Sequence, residues 1–298
     1  MIIINFTDII YLTVIIAHES YSNQCAIFYI IGVIPMADEA KKKKFRIHLL
    51  DEIRGLAVFC MIFYHAFYTM GSIFNMEWGK YLFDLFEPVE PLFAGVFIFV
   101  SGIACNLSKS NIERGVKLGV VALGVTLVTY FFDKNQVIIF GILHMLALCM
   151  IIYGLIGRFL RLFPIWLMVP LGFILFFLSQ HINEGYLEIP FLVQWKLPSE
   201  WYTTDFLFMF GLPKPEFFSA DYFPLIPWIF IFFSGCSFGR LIPKKKLPKW
   251  IAKKHIPPLA FLGRHALLFY IAHQPVIFGI CWLIQKCMSM FQPAAEQK

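Results

Sequence analysis

The sequence predicts an all-α polytopic membrane protein, a bundle of about seven transmembrane helices with an N-terminal hydrophobic segment that could add one more. Three observations carry this. Of the 298 residues 59% are hydrophobic and 15% charged, with a mean hydropathy of +0.71, more apolar than a soluble globular chain tolerates. Apolar segments of roughly 18 to 25 residues recur between charged breaks, each about long enough to cross a ~30 Å hydrocarbon core as a helix. Successive loops alternate between basic and acidic, as connections on opposite sides of a bilayer do.

Taken in order, the expected spans are 53–74, 89–107, 115–132, 136–157, 159–179, 223–242 and 259–284. They make residues 41–286 one transmembrane domain and leave 287–298 as a short polar tail. Residues 1–40 form an N-terminal extension. In it "IIYLTVIIA" and "CAIFYIIGVIP" are each too short to span and are separated by "HESYSNQ". A signal peptide needs a basic start, and residues 1–40 contain no Lys or Arg. An irregular hydrophobic segment and a true start at Met36, giving "MADEAKKKKFRIHLLDE", both remain open. The seven cysteines lie in or beside apolar segments without metal-ligand or paired spacing, so they read as packing residues. Nothing in the pattern calls for a metal.

The loop charges set the expected orientation. Lys41–Lys44 with Arg46, then Lys109, Arg114 and Lys117, then Arg158 and Arg161, then the run from Arg240 to Lys254 share one side. Glu77, Asp84, Glu87 and Glu90, then Asp133, then Glu184 to Asp221 share the other. By the positive-inside rule the Lys41–Arg46 side is cytoplasmic. The net charge of +6 is thus a topology signal that excludes nucleic acid as a partner and leaves the lipid bilayer as one. The inner run "PKKKLPKWIAKKH" suits anionic lipid or a phosphorylated cytosolic donor. Residues 180–222 form the one long outer connection, and its Trp195, Trp201, Tyr202 and phenylalanines suit either the membrane interface or a sugar-like ligand.

Polar residues at membrane depth are the candidate site. In "LLDEIRGLAVFCMIFYH", His65 follows Arg54 by about 16 Å of helix and falls near the bilayer midplane, with Asp51, Arg54 and His65 on one stripe within about 60°. His144 in "VIIFGILHMLALCM" and His273 in "ALLFYIAHQPVIF" also sit inside apolar segments. Unpaired polar groups in hydrocarbon cost several kcal/mol, so three such histidines point to a shared polar cavity. His65 is the expected general base, with His144 and His273 as further candidate catalytic residues of the same cavity. Asp221 and Tyr222, in "SADYFPLIPWIF", stand at the outer mouth of the sixth span, placed to orient an acceptor. In "VSGIACNL", Ser101 and Gly102 let helices approach closely.

The segments "RIHLLDEIRGLAVFCMIFYH", "FIFVSGIACNL", "VTYFFDKNQVIIFGILH", "DYFPLIPWIFIF" and "LGRHALLFYIAHQPV" resemble, in order and spacing over about residues 45–285, bacterial members of the heparan-alpha-glucosaminide N-acetyltransferase catalytic-domain family. The resemblance implies an acyl-CoA-dependent transmembrane acyltransferase: acetyl-CoA or another acyl-CoA as cytosolic donor, and a sugar or glycan amine or hydroxyl as acceptor at the outer face. Arg54 and Asp51 would then meet the donor at the mouth of a cytosolic tunnel. The first segment also looks like the start of the acyltransferases that O-acylate surface polysaccharides, in which the positions of Arg54 and His65 are functional. The heparan-acting branch relies on a histidine in the loop after the first helix; residues 75–88 contain none here. That makes heparan a poor fit and His65 the better base. The rival reading is a transporter or flippase in which the histidines relay protons, against which stands the lack of visible inverted repeats. A homodimer is compatible with either.

Overall fold

The computed structural model describes residues 47–189, 192–242 and 248–291. The expectations for residues 1–40, for Lys41–Arg46 and for Lys244–Lys246 lie outside these, as do the last seven residues of the chain.

Helix α1, His48–Tyr68, follows Ile47 in extended backbone and continues through a π turn at Thr69–Ile73. Helix α2, Glu77–Phe86, runs through a short 3₁₀ turn into α3, Glu90–Cys105, where Pro91 occupies the first turn and costs no intrahelical bond. Helix α4, Asn111–Phe132, is capped by Ser110, whose hydroxyl accepts the Glu113 N–H at 3.2 Å. Helix α5 spans Ile142–Leu160 and α6 Ile165–Leu178, the latter starting after Pro164. Helix α7, Leu225–Phe238, follows Pro224; α8 is Lys249–Ala252, α9 Pro257–Arg264 and α10 Ala266–Phe291.

Among the described residues six helical stretches are long and apolar enough to cross a membrane: His48–Ile73, Glu77–Cys105, Asn111–Phe132, Ile142–Leu160, Ile165–Glu184 and Ala266–Cys287. The span expected at 223–242 is the shorter apolar stretch Leu225–Leu241. The span expected at 259–284 is divided at His265, whose N–H is shared between Phe261 O and Leu262 O at 3.2 and 3.1 Å. Helix α10 then runs on to Phe291, past the expected start of the polar tail.

The long connection after α6 departs from an all-helical fold. It contains an antiparallel hairpin, β1 Tyr186–Ile189 with β2 Val193–Lys196, in which Tyr186 pairs Lys196 and Ile189 pairs Val193. Gly185, at φ +92, supplies the left-handed turn before it. Two four-residue strands are too short for alternation to announce them in a chain this apolar. Beyond the hairpin, the rings of Phe208 and Phe217 stack 4.7 Å apart, and the Tyr202 hydroxyl donates to Ile182 O.

Two close helix crossings hold the frame. A Cβ on Gly55 would lie 1.9 Å from Leu259 O, and one on Gly263 1.8 Å from Asp51 O, so α1 and α9 meet backbone to backbone. Helices α3 and α7 cross the same way: a Cβ on Gly102 would lie 2.2 Å from Phe232 O and one on Gly235 2.1 Å from Phe99 O. Between α3, α5 and α7 lies the core, with Ile98, Met145, Cys149 and Phe232 fully buried. Cys105, Cys149 and Cys236 are buried there as free thiols, the packing role expected of them. Helix α4 instead turns Leu123, Leu127 and Phe131 outward, a face that lipid solvates and water does not.

Candidate active site

A cavity of about 220 Å³ opens between α1, α3, the start of α5, the segment before α7, and α10. Helix α1 contributes Tyr64 and His65, α3 contributes Glu90, the 220–223 segment contributes Asp221 and Tyr222, and α10 contributes Tyr270. The rest of the wall is apolar, including Phe93, Phe97 and Trp228.

Asp221 is fixed at the centre of one wall. Its Oδ2 accepts the Tyr270 hydroxyl at 2.6 Å and the Ile142 N–H at 3.4 Å; Oδ1 takes neither. The segment carrying it is pinned by Ala220 N–H to Val137 O at 3.0 Å and Phe223 N–H to Phe140 O at 3.1 Å. Gly141 clears its path, because a Cβ there would come within 2.6 Å of Oδ2. Burial pushes the Asp221 carboxyl above its ordinary value, against the pull of the Tyr270 hydroxyl and the Ile142 N–H. Tyr222 lines the cavity with its ring, but its hydroxyl donates outward to Phe208 O at 2.6 Å.

His65 and His273 come together, with ring centroids 4.9 Å apart. Gln274 Nε2 reaches His65 Nδ1 at 3.1 Å, and Gln274 Oε1 accepts the hydroxyl of fully buried Thr69 at 3.3 Å. His273 Nδ1 donates to Tyr270 O at 2.6 Å, which leaves Nε2 as a lone pair, buried and without a partner among the described residues. Helix α1 begins six residues before Arg54, so His65 sits beyond the middle of the His48–Ile73 stretch, toward Asp221.

His144 stands apart. The Gly141 N–H donates to its Nδ1 at 3.2 Å, so Nε2 carries the proton and faces Thr126 Oγ1 at 3.1 Å, which in turn donates to Ile138 O at 2.7 Å. Both nitrogens are used in capping the start of α5 and joining it to α4. The ring does not line the cavity. Arg54 and Asp51 lie near the other end of α1, 3.8 Å apart at closest, packed beside α9.

Sequence reasoning singled out His65, His273, Asp221 and Tyr222 and missed Tyr270, Gln274, Thr69 and Glu90. The signal was present in part. Tyr270, His273 and Gln274 stand at i, i+3 and i+4, one face of an otherwise apolar helix, and Thr69 follows His65 by one turn. Glu90 is the first residue of α3 and in sequence reads only as one of the acidic charges of the outer side.

A helical bundle with several apolar spans around a cavity bearing an imidazole and two carboxylates is an integral, multi-pass membrane protein with a site equipped for proton transfer. Residues 46–275 match the catalytic domain of heparan-alpha-glucosaminide N-acetyltransferase, and the chain belongs to that family. The family makes it a membrane acetyltransferase, with acetyl-CoA as the donor the family implies. Comparison with curated proteins and with solved structures returns no significant match in either.

Proposed function

We propose that the protein transfers an acyl group, in the first instance acetyl, from cytosolic acyl-CoA to an amine or hydroxyl of a sugar or glycan at the outer face. The observation that carries this is the cavity itself, in which α1, α3, α10 and the segment before α7 converge His65, Glu90, Tyr270 and Asp221 on one small space. At about 220 Å³ it is below the ~300–1,000 Å³ usual for whole drug-sized ligands, so it suits the reacting groups alone, an acetyl thioester and the functional group of one sugar ring.

The donor's bulk then lies along α1 toward Arg54 and Asp51, on the side the positive-inside rule makes cytoplasmic. The acceptor arrives past Tyr222 and Asp221, under the aromatic loop. Glu90 and Asp221 give the acceptor side a negative field that favours an amine-bearing sugar. His65 and Asp221 supply the polar groups that meet the reacting atoms, and His273, packed on His65, tunes them. His144 is assigned to holding the α4–α5 junction and, through Ile142, the seat of Asp221. General acid–base help of this kind is typically worth about 10²- to 10⁴-fold, and positioning supplies much of the remainder.

The test is transfer of labelled acetyl from CoA to a panel of amino sugars and glycans by purified protein in liposomes. Transfer that saturates in both substrates is expected. Solute-coupled proton flux without CoA dependence would replace this reading with transport.

A further inference from the structure

We infer that His65 acts as a hydrogen-bond donor to the thioester carbonyl, held in that form by Gln274 and Thr69, and that Asp221 is the proton acceptor. The inference rests on the acyltransfer reading and reverses the role the sequence suggests for His65.

The argument is one of hydrogen-bond polarity. Gln274 turns its Oε1 to the Thr69 hydroxyl, which donates to it at 3.3 Å, and its NH₂ to His65 Nδ1 at 3.1 Å. An amide N–H can only donate, so Nδ1 must be the acceptor nitrogen of a neutral imidazole, and the ring proton resides on Nε2. The nitrogen left for substrate is therefore an N–H. A base needs a lone pair there.

The other groups of the cavity fit this division. Tyr270 spends its hydroxyl on Asp221 Oδ2 and Tyr222 spends its own on Phe208 O, so neither is offered to substrate. Acceptors are plentiful, since Glu90 and Asp221 both line the space. Acyl transfer needs a donor there for the oxygen that becomes negative; the Tyr64 side chain also lines the space, but His65 Nε2–H is the donor whose proton a neighbour, Gln274, holds in place. Asp221 is the complementary half. Its two donors both go to Oδ2, leaving Oδ1 to receive a proton, and burial makes its carboxylate more basic than a solvated one.

The step balances as follows. The acceptor nitrogen or oxygen attacks the thioester carbonyl carbon and gives its proton to Asp221 Oδ1. The new C–N or C–O bond forms while the carbonyl oxygen, now negative, is held by His65 Nε2–H. Collapse restores the carbonyl and breaks the C–S bond, and the coenzyme leaves as thiolate, which takes the proton from Asp221. Gln274 touches no substrate; it is a positioning residue acting through His65.

His65→Gln and His65→Ala separate the roles, because a glutamine amide places an N–H near where Nε2–H stood but cannot act as a base. Against active wild type, H65A should lose about 10²- to 10³-fold, the usual cost of an oxyanion donor, and H65Q should recover to within about tenfold of wild type. D221N should fall about 10²- to 10⁴-fold, as loss of a general base does. A folded H65Q as inactive as H65A overturns the donor role, and a D221N that keeps its rate overturns the base. Gln274→Glu presents only acceptors to Nδ1 and should move the ring proton there, lowering kcat with little change in KM; unchanged kcat overturns the positioning role.

A second measurement depends on no variant and no substrate. Nitrogen NMR of wild-type protein labelled in histidine and glutamine identifies His65 by its contact with the Gln274 amide and reports which ring nitrogen is protonated. A proton on Nε2 is expected; one on Nδ1 overturns the inference even if transfer is active. Failure of wild type to transfer acetyl at all would remove the acyltransfer reading, while this signal still decides the tautomer.

Discussion

Tyr270 donates its hydroxyl to Asp221 Oδ2 at 2.6 Å, joining α10 to the segment before α7 across the cavity wall. That bond and the Ile142 N–H both favour the ionised carboxylate, and burial opposes them and prevails. The active carboxylate is therefore lost, as pH falls, at a higher pH than the ~3.9 of an ordinary Asp. Removing the hydroxyl in Tyr270→Phe takes away one of the opposing pulls, so the acid limb of kcat against pH should move further upward and the rate at its plateau fall about tenfold. Asp221→Asn should abolish the limb. Stability has its own sign: the folded protein keeps this proton to higher pH than the unfolded chain, so stability declines as pH rises between the two values and levels off above the folded one. Thermal unfolding at stepped pH measures this.

His273 is expected to show stability and activity moving in opposite directions. Its Nε2 is buried and without a partner among the described residues, an arrangement that normally costs about 1–3 kcal/mol. Phenylalanine at this position removes the orphaned atom at similar volume. The expected outcome for His273→Phe is a melting temperature equal to or above wild type, with acetyl transfer reduced at least tenfold. Loss of both would mark the ring as a packing element only.

Gly263 is expected to be intolerant of any side chain. A Cβ there would lie 1.8 Å from Asp51 O, and the opposing Gly55 leaves no room to yield. Gly263→Val should abolish recovery of folded, monodisperse protein in detergent, whereas Gly124→Val, on α4 with nothing within 4 Å, should purify like wild type.

Arg54 tests where the donor lies. Arg54→Gln should raise KM for acyl-CoA about tenfold or more and leave kcat within a few-fold, the signature of a group that binds without taking part in the reaction. An unchanged KM would move the coenzyme's phosphates elsewhere.

How far these features were legible in the sequence depends on their range. The spans on either side of His65 and His144 announced themselves through unbroken apolar length, and His65 through being polar inside it. Helix α3 was read as starting near 89, and the structure shows it continuous with α2 because the acidic residues 77 to 90 form amphipathic turns and not a loop. His144 and His65 look alike in sequence, each an imidazole in an apolar run. Only the fold distinguishes them: one is closed off by Gly141 and Thr126, the other faces a cavity. Gln274 and Thr69 are 205 residues apart in the chain, and no local pattern can reveal that they set the proton of a third residue.

The regular helix between Arg54 and His65 also works as a length standard. It fixes the two ends of the proposed donor site about 16 Å apart, with no hinge in between. A thioester on a shortened carrier cannot touch both ends at once, so it would react without being anchored, or be anchored without reacting. Discrimination among donors would then follow from the reach of the carrier arm before the acyl group is read at all.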